Sequence, residues 1–125
     1  MEQRHPLSGL RVLEMGSRTT APYIGKLLTD AGADVLKLES PVGDPFRTWS
    51  ASGASIPDGE DAAWWRFLNA GKKSTTIDLE TDEGKDQFHN LVTETDLILD
   101  DHIPQDAQRL GITYEDIHII SPSTV

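Results

Sequence analysis

The feature that most constrains this chain is a strand pattern that passes through one helix pattern directly into a second strand pattern. Leu10 to Met15 is a short apolar run that stops at Gly16. The turn Ser17 to Thr20 leads into a helix pattern with Pro22 in its first turn, where a missing N–H costs nothing. Ile24, Leu27, Leu28 and Ala31 recur at the spacing of one helix face and predict its buried side. Gly32 is the expected stop. Asp34 to Glu39 is the second strand. Two strands bracketing one helix within about 30 residues form a βαβ unit, and that unit requires parallel pairing.

The same alternation continues. Ser40 to Asp61 is a long loop rich in Gly, Pro, Ser and Asp, and a loop of that length in a compact domain is usually functional or disordered. Trp64 to Leu68 is an apolar patch that anchors its far end. Ser74 to Leu79 alternates and is β-branched, so it predicts a third strand. Asp82 and Glu83 open a helix whose buried stripe is Phe88, Leu91 and Val92. Asp96 to Asp100 predicts a fourth strand, and Pro104 to Leu110 a short helix closed by Gly111. Thr113 and Asp116 form a weak capping box before a last helix with Ile117 and Ile120 inward. Pro122 ends it, and Ser123 to Val125 read as the first residues of another strand. The fold class is therefore α/β with a mostly parallel sheet, as one unit over residues 1–125.

Composition excludes several classes. The 125 residues contain no cysteine, which removes disulfides, thiolate metal sites and cysteine nucleophiles and fits a cytoplasmic protein. A net charge of −10 argues against a nucleic-acid partner, because phosphate neutralisation needs a basic face. No run approaches the roughly 20 apolar residues of a membrane span. Met1 to Pro6 has no apolar segment of the kind a secretory leader carries.

In open α/β sheets ligands bind at the C-terminal ends of the strands. Here those ends are Gly16 to Thr20, Glu39 to Gly43, Leu79 to Glu80 and Asp100 to Pro104. Glu39 sits where a ribose-binding acid belongs in a dinucleotide site. The glycine fingerprint is broken, however. Its three positions are Gly16, Arg18 and Ala21, and an arginine at the middle one obstructs close backbone approach to a pyrophosphate.

The ordered set of segments resembles another group. It comprises Pro6-Leu-Ser-Gly-Leu-Arg-Val-Leu-Glu-Met15, Ala21-Pro-Tyr23, Leu28 to Glu39, Gly43-Asp44, Leu68-Asn-Ala-Gly-Lys-Lys-Ser74, Ile77-Asp-Leu79, Glu83-Gly84 and Arg109-Leu-Gly111 with Tyr114-Glu115. In this order they resemble the start of the family III CoA-transferases, the group of formyl-CoA transferase, carnitine CoA-transferase and α-methylacyl-CoA racemase. The resemblance implies a Rossmann-like sheet flanked by helices, forming the N-terminal part of a larger domain, with coenzyme A or acyl-CoA as substrate, a carboxylic acid as its partner, and no metal. It implies CoA contacts from Arg18 and Thr19, from Ser40, from Ile77, Asp78, Leu79 and Glu80, from Asp101, His102 and Ile103, and from Arg109. Lys72 and Lys73 are further basic candidates. Several of these have plainer readings: Lys72 and Lys73 as a solvated pair, Arg109 as a helix C-terminal charge, Asp78 as a bond to the next helix, and His102 as a residue behind the site.

The departures from the family pattern have one direction. Ser40 stands where members often carry Arg, Glu80 where a Lys can occur, and Asp100-Asp101-His102 in place of a typical Glu-Asn-Phe. Each change removes positive charge, adds negative charge or removes an aromatic wall. By resemblance, the transferases use an aspartate that attacks the thioester, and the racemase branch a His and Asp pair. Both lie later in the family pattern than Val125, so no catalytic residue is assigned here, and the chain alone is expected to be inactive. Three readings stay open: a transferase segment, a racemase segment, and a CoA-binding module without chemistry. Family members form interlaced homodimers, which a segment of this size is not expected to reproduce.

Overall fold

The computed structural model describes residues 4–125; Met1 to Gln3, part of the stretch read as lacking a leader, lie outside them. Four strands form one sheet: β1 (Arg11–Glu14), β2 (Asp34–Glu39), β3 (Lys73–Thr76) and β4 (Leu97–Leu99). Their order is β3-β2-β1-β4, and every pairing is parallel. The chain therefore builds outward from β1 to β3, then crosses back to place β4 on the other side of β1. That reversal is the switch point at which an open α/β sheet leaves a crevice. The third and fourth strands are shorter than their sequence patterns: Ile77 N still bonds to Glu39 O at 3.0 Å, and Asp78 to Glu80 and Asp100 onward form strand-end loops.

The helices are α1 (Thr20–Asp30), α2 (Ala63–Asn69), α3 (Asp82–Thr93), α4 (Pro104–Leu110) and α5 (Tyr114–Ile120). Among the described residues no helix is long and apolar enough to cross a membrane. The capping box of α5 is complete: Asp116 N donates to Thr113 Oγ1 at 3.2 Å, and Thr113 N to Asp116 Oδ2 at 3.0 Å. An aspartate therefore suffices where Glu or Gln is usual. The aromatic patch at Trp64 to Leu68 lies on α2. Val125 lies beside β4, with its N–H on Asp96 O at 3.1 Å and its carbonyl accepting from Ile98 N at 2.8 Å, the rung of a parallel ladder.

Side chains alternate between the two faces of the sheet. Leu13, Met15 and Leu38 pack with Phe88 and Val92 of α3, Ala107 of α4 and Ile117 of α5. Val12 and Val35 point to the other face, under α1, together with Leu28, Leu97 and Leu99. On that second face Glu14 follows Val12, and Lys37 and Glu39 follow Val35. Its C-terminal half is thus charged, yet buried: Glu14 is 0% and Lys37 1% exposed.

That charge corrects the predicted face of α1. Ala21, Pro22 and Gly25 are buried, whereas Ile24 and Leu27 are 40% and 52% exposed. The physical reason is at Gly25, where a Cβ would lie 2.0 Å from Glu14 Oε2. Only small residues fit against the carboxylate, so the helix turns its larger apolar side chains outward.

Candidate functional site: a cleft at the strand ends

A cleft of about 330 Å³ opens at the C-terminal edge of the sheet. Its floor is Met15, Gly16, Leu38, Ile77 and Leu79; Glu39, Ser40 and Val42 to Pro45 form one wall, and His102 and Arg109 stand on the other. The long loop is fixed there by ions. Lys37 Nζ donates to Glu14 Oε1 at 3.0 Å and to Gly16 O at 3.0 Å, and it ion-pairs with Asp44 Oδ2 at 2.9 Å. Glu14 Oε2 meets Lys72 Nζ at 2.6 Å, and Lys72 also donates to Pro22 O and Asn69 Oδ1. Burial pushes the Lys72 ammonium down from its usual value, against the opposing pull of Glu14.

A second set closes the loop on itself. Glu39 accepts from Arg47 at 2.7 and 2.8 Å and from the Asp44 amide at 3.0 Å. Burial alone would raise the Glu39 carboxyl, but these hydrogen bonds outweigh it and hold the carboxyl below its ordinary range. Arg47 also grips Asp61 at 2.8 Å and lies over the Trp65 ring, 3.8 Å from its centroid. The residue before the loop and the loop's last residue are thereby joined through one guanidinium. Asp44 Oδ1 accepts from Phe46 N at 2.8 Å and starts the 3₁₀ turn Pro45–Arg47.

The sequence-predicted residues divide by position. Ser40, Ile77, Asp78, Leu79, Glu80, His102 and Arg109 line the cleft together. Asp78 Oδ1 accepts from Glu80 N at 3.0 Å, and its carbonyl lies under α3 so closely that a Cβ on Gly84 would sit 1.8 Å away. Arg18 and Thr19 are exposed on the β1–α1 turn, and it is Gly16 and Ser17 that reach the cleft. Asp101 lies beneath that turn, taking Ser17 N at 3.3 Å, with its Oδ2 buried and unpartnered. Lys72 is not a solvated residue but a buried member of the ion chain, because Glu14 needs a second cation. Lys73 begins β3 and pairs with Asp34, which begins β2, so it lies at the opposite end of the strands from the cleft. Among the described residues no group of three side chains is placed to hold a metal ion.

The electrostatics of the rim are acidic. Glu39, Asp44, Asp78, Glu80 and Asp106 line the cleft against Lys37 and Arg109. Arg109 Nη1 donates to Glu80. His102 bonds through Nδ1 to Asp100, which raises the imidazole above its ordinary value despite burial.

A four-stranded parallel sheet flanked by helices, with a cleft at its switch point, is the open α/β class of fold. The profile of CoA-transferase family III matches residues 7–125, and the chain belongs to that family. It is 39% identical over 124 residues to a succinyl-CoA–D-citramalate CoA-transferase of Chloroflexus aurantiacus, covering 96% of this chain and 29% of that protein. It is 34% identical to a succinate–glutarate CoA-transferase of Agrobacterium fabrum, covering 98% of this chain and 32% of that one. The crystal structure of a CAIB/BAIF family protein from Brucella suis superposes with a TM-score of 0.88 at 36% identity, again over 98% of this chain and 32% of that one. The chain thus spans about a third of the length of the relatives it matches.

Glu14, Lys37, Asp44 and Arg47 were not singled out from the sequence. The available signal was a charge at an inward position of a central parallel strand, where a near-continuous apolar run is expected. Glu14 and Lys37 are such positions, and they are direct register partners.

Proposed function

We propose that this chain forms the CoA-binding wall of an enzyme that moves CoA between carboxylic acids. The observation that carries the reading is the cleft at the switch point, lined by Ser40, Ile77 to Glu80, His102 and Arg109. Its apolar floor suits the uncharged part of a thioester, and its polar rim faces solvent, where the ligand's phosphates would lie. The relatives' names favour a transferase over a racemase, since both act as CoA-transferases by name.

By family resemblance, an aspartate attacks the thioester carbonyl. The carbon–sulfur bond breaks, CoA leaves as thiolate, and an acyl anhydride remains. The thiolate then attacks the aspartyl carbonyl of the anhydride, freeing the acid and leaving CoA on the enzyme. None of the carboxylates described here takes that role. Asp44 is buried on Lys37, Asp78 holds a turn, and Asp100 holds His102. The 125-residue chain alone should catalyse no exchange between an acyl-CoA and a free acid.

Calorimetric titration with CoA, paired with hydrogen exchange, tests this. Binding with slowed exchange at residues 77–80 and 100–103 is expected. Binding that protects other segments, or exchange activity in the 125-residue chain, would overturn the reading.

A further inference from the structure

The donors that face the strand ends are already held by acids of the same chain. Ser17 N is taken by Asp101, His102 by Asp100, and Arg109 by Glu80. Of the two permanent cations lining the cleft, Lys37 is 1% exposed and held among Glu14, Asp44 and the Gly16 carbonyl. Arg109 is different. Its side chain is 53% exposed, and that of Glu80 is 62% exposed.

We propose that Glu80 is a specificity-determining residue: its carboxylate occupies Arg109 in place of a ligand anion, so the cleft discriminates against the more highly charged form of its ligand. This rests on the reading of the cleft as a CoA site. The pair is exposed and so weakly held in water, which lets a phosphate displace the carboxylate. A phosphate can accept two guanidinium N–H groups at once, whereas Glu80 engages only Nη1 of Arg109. Displacement does not remove Glu80. It stays on the rim beside Leu79, joined to the Asp78 turn through its own amide, and repels the incoming dianion. Asp106, 3.6 Å from Arg109 Nη2, adds to that repulsion from α4. The result is a site that holds the phosphates loosely and is biased by Glu80 against the additional phosphate charge.

The test uses the intact gene product and compares CoA with dephospho-CoA, which lacks one phosphate. Glu80→Gln should tighten CoA by up to about fivefold, the range one exposed charge pair commands. The gain should be smaller for dephospho-CoA and should shrink as salt is raised. It should vanish in Glu80→Gln/Arg109→Gln, which separates release of Arg109 from any general change in the loop. Unaltered CoA affinity in Glu80→Gln, an equal gain for both ligands, or a gain that survives loss of Arg109 would overturn the inference and leave the CoA site standing. Absence of CoA binding in the wild type and every variant would overturn the CoA reading, and this inference with it.

Discussion

Replacing Lys37 with methionine tests whether the buried ion chain organises the cleft. Methionine keeps most of the volume and removes one ammonium. Glu14 Oε1 and Gly16 O lose a hydrogen-bond donor, and Asp44 Oδ2 loses the ammonium 2.9 Å away. Glu14 retains Lys72, but Asp44 keeps no cation, and its side chain is 1% exposed. Breaking a buried pair from one side costs about 3–5 kcal/mol, because the surviving charge stays in a poor solvent. For a chain of this size that lowers the thermal midpoint by about 12–20 °C. Asp44→Asn in the same background removes the stranded charge and should restore part of the loss. Lys73→Met is the control: its partner Asp34 is exposed, and the midpoint should move little. The assay is thermal unfolding followed by circular dichroism, with tryptophan fluorescence reporting the loop through Trp49 and Trp65. If Lys37→Met matched Lys73→Met, or if Asp44→Asn deepened the loss, the pairing argument would be refuted.

Two other predictions follow from the cleft walls. Gly84→Ala places a Cβ 1.8 Å from the Asp78 carbonyl, which is backbone and cannot rotate away, so α3 must shift; a stability loss of about 1–3 kcal/mol or more by urea unfolding is expected. His102 has its folded-state value raised by Asp100, so it contributes stability that is fully present below the unfolded value near 6.5 and is lost as pH rises through the folded value. The difference in urea midpoint between wild type and His102→Gln should therefore shrink as pH rises above about 6.5, and a proton NMR titration of His102 with its midpoint below 6.5 would sink the assignment.

The fold class was legible in the sequence because it rests on local periodicity. The strand patterns around Val12, Val35, Thr75 and Ile98, with helices between them, permit little besides a parallel sheet, and Gly32 and Gly111 stop helices where the sequence says they should, both at positive φ. The strand ends were equally legible, and Ser40, Ile77 to Glu80, His102 and Arg109 do come together there. What the sequence left open is everything decided by which face a side chain takes. Lys72 and Lys73 are adjacent and chemically identical, yet one is buried on Glu14 and the other is exposed at the far end of β3. Ile24 and Leu27 carry the apolar spacing of α1, yet Gly25 faces the sheet. Both outcomes follow from the charges stacked on one face of β1 and β2. Glu14 and Lys37 are 23 residues apart and become neighbours only through parallel register. Local pattern sets which elements form, since hydrogen bonding and turn chemistry act over a few residues. Tertiary packing alone sets where a buried charge finds its partner, because that partner lies across the sheet and not along the chain.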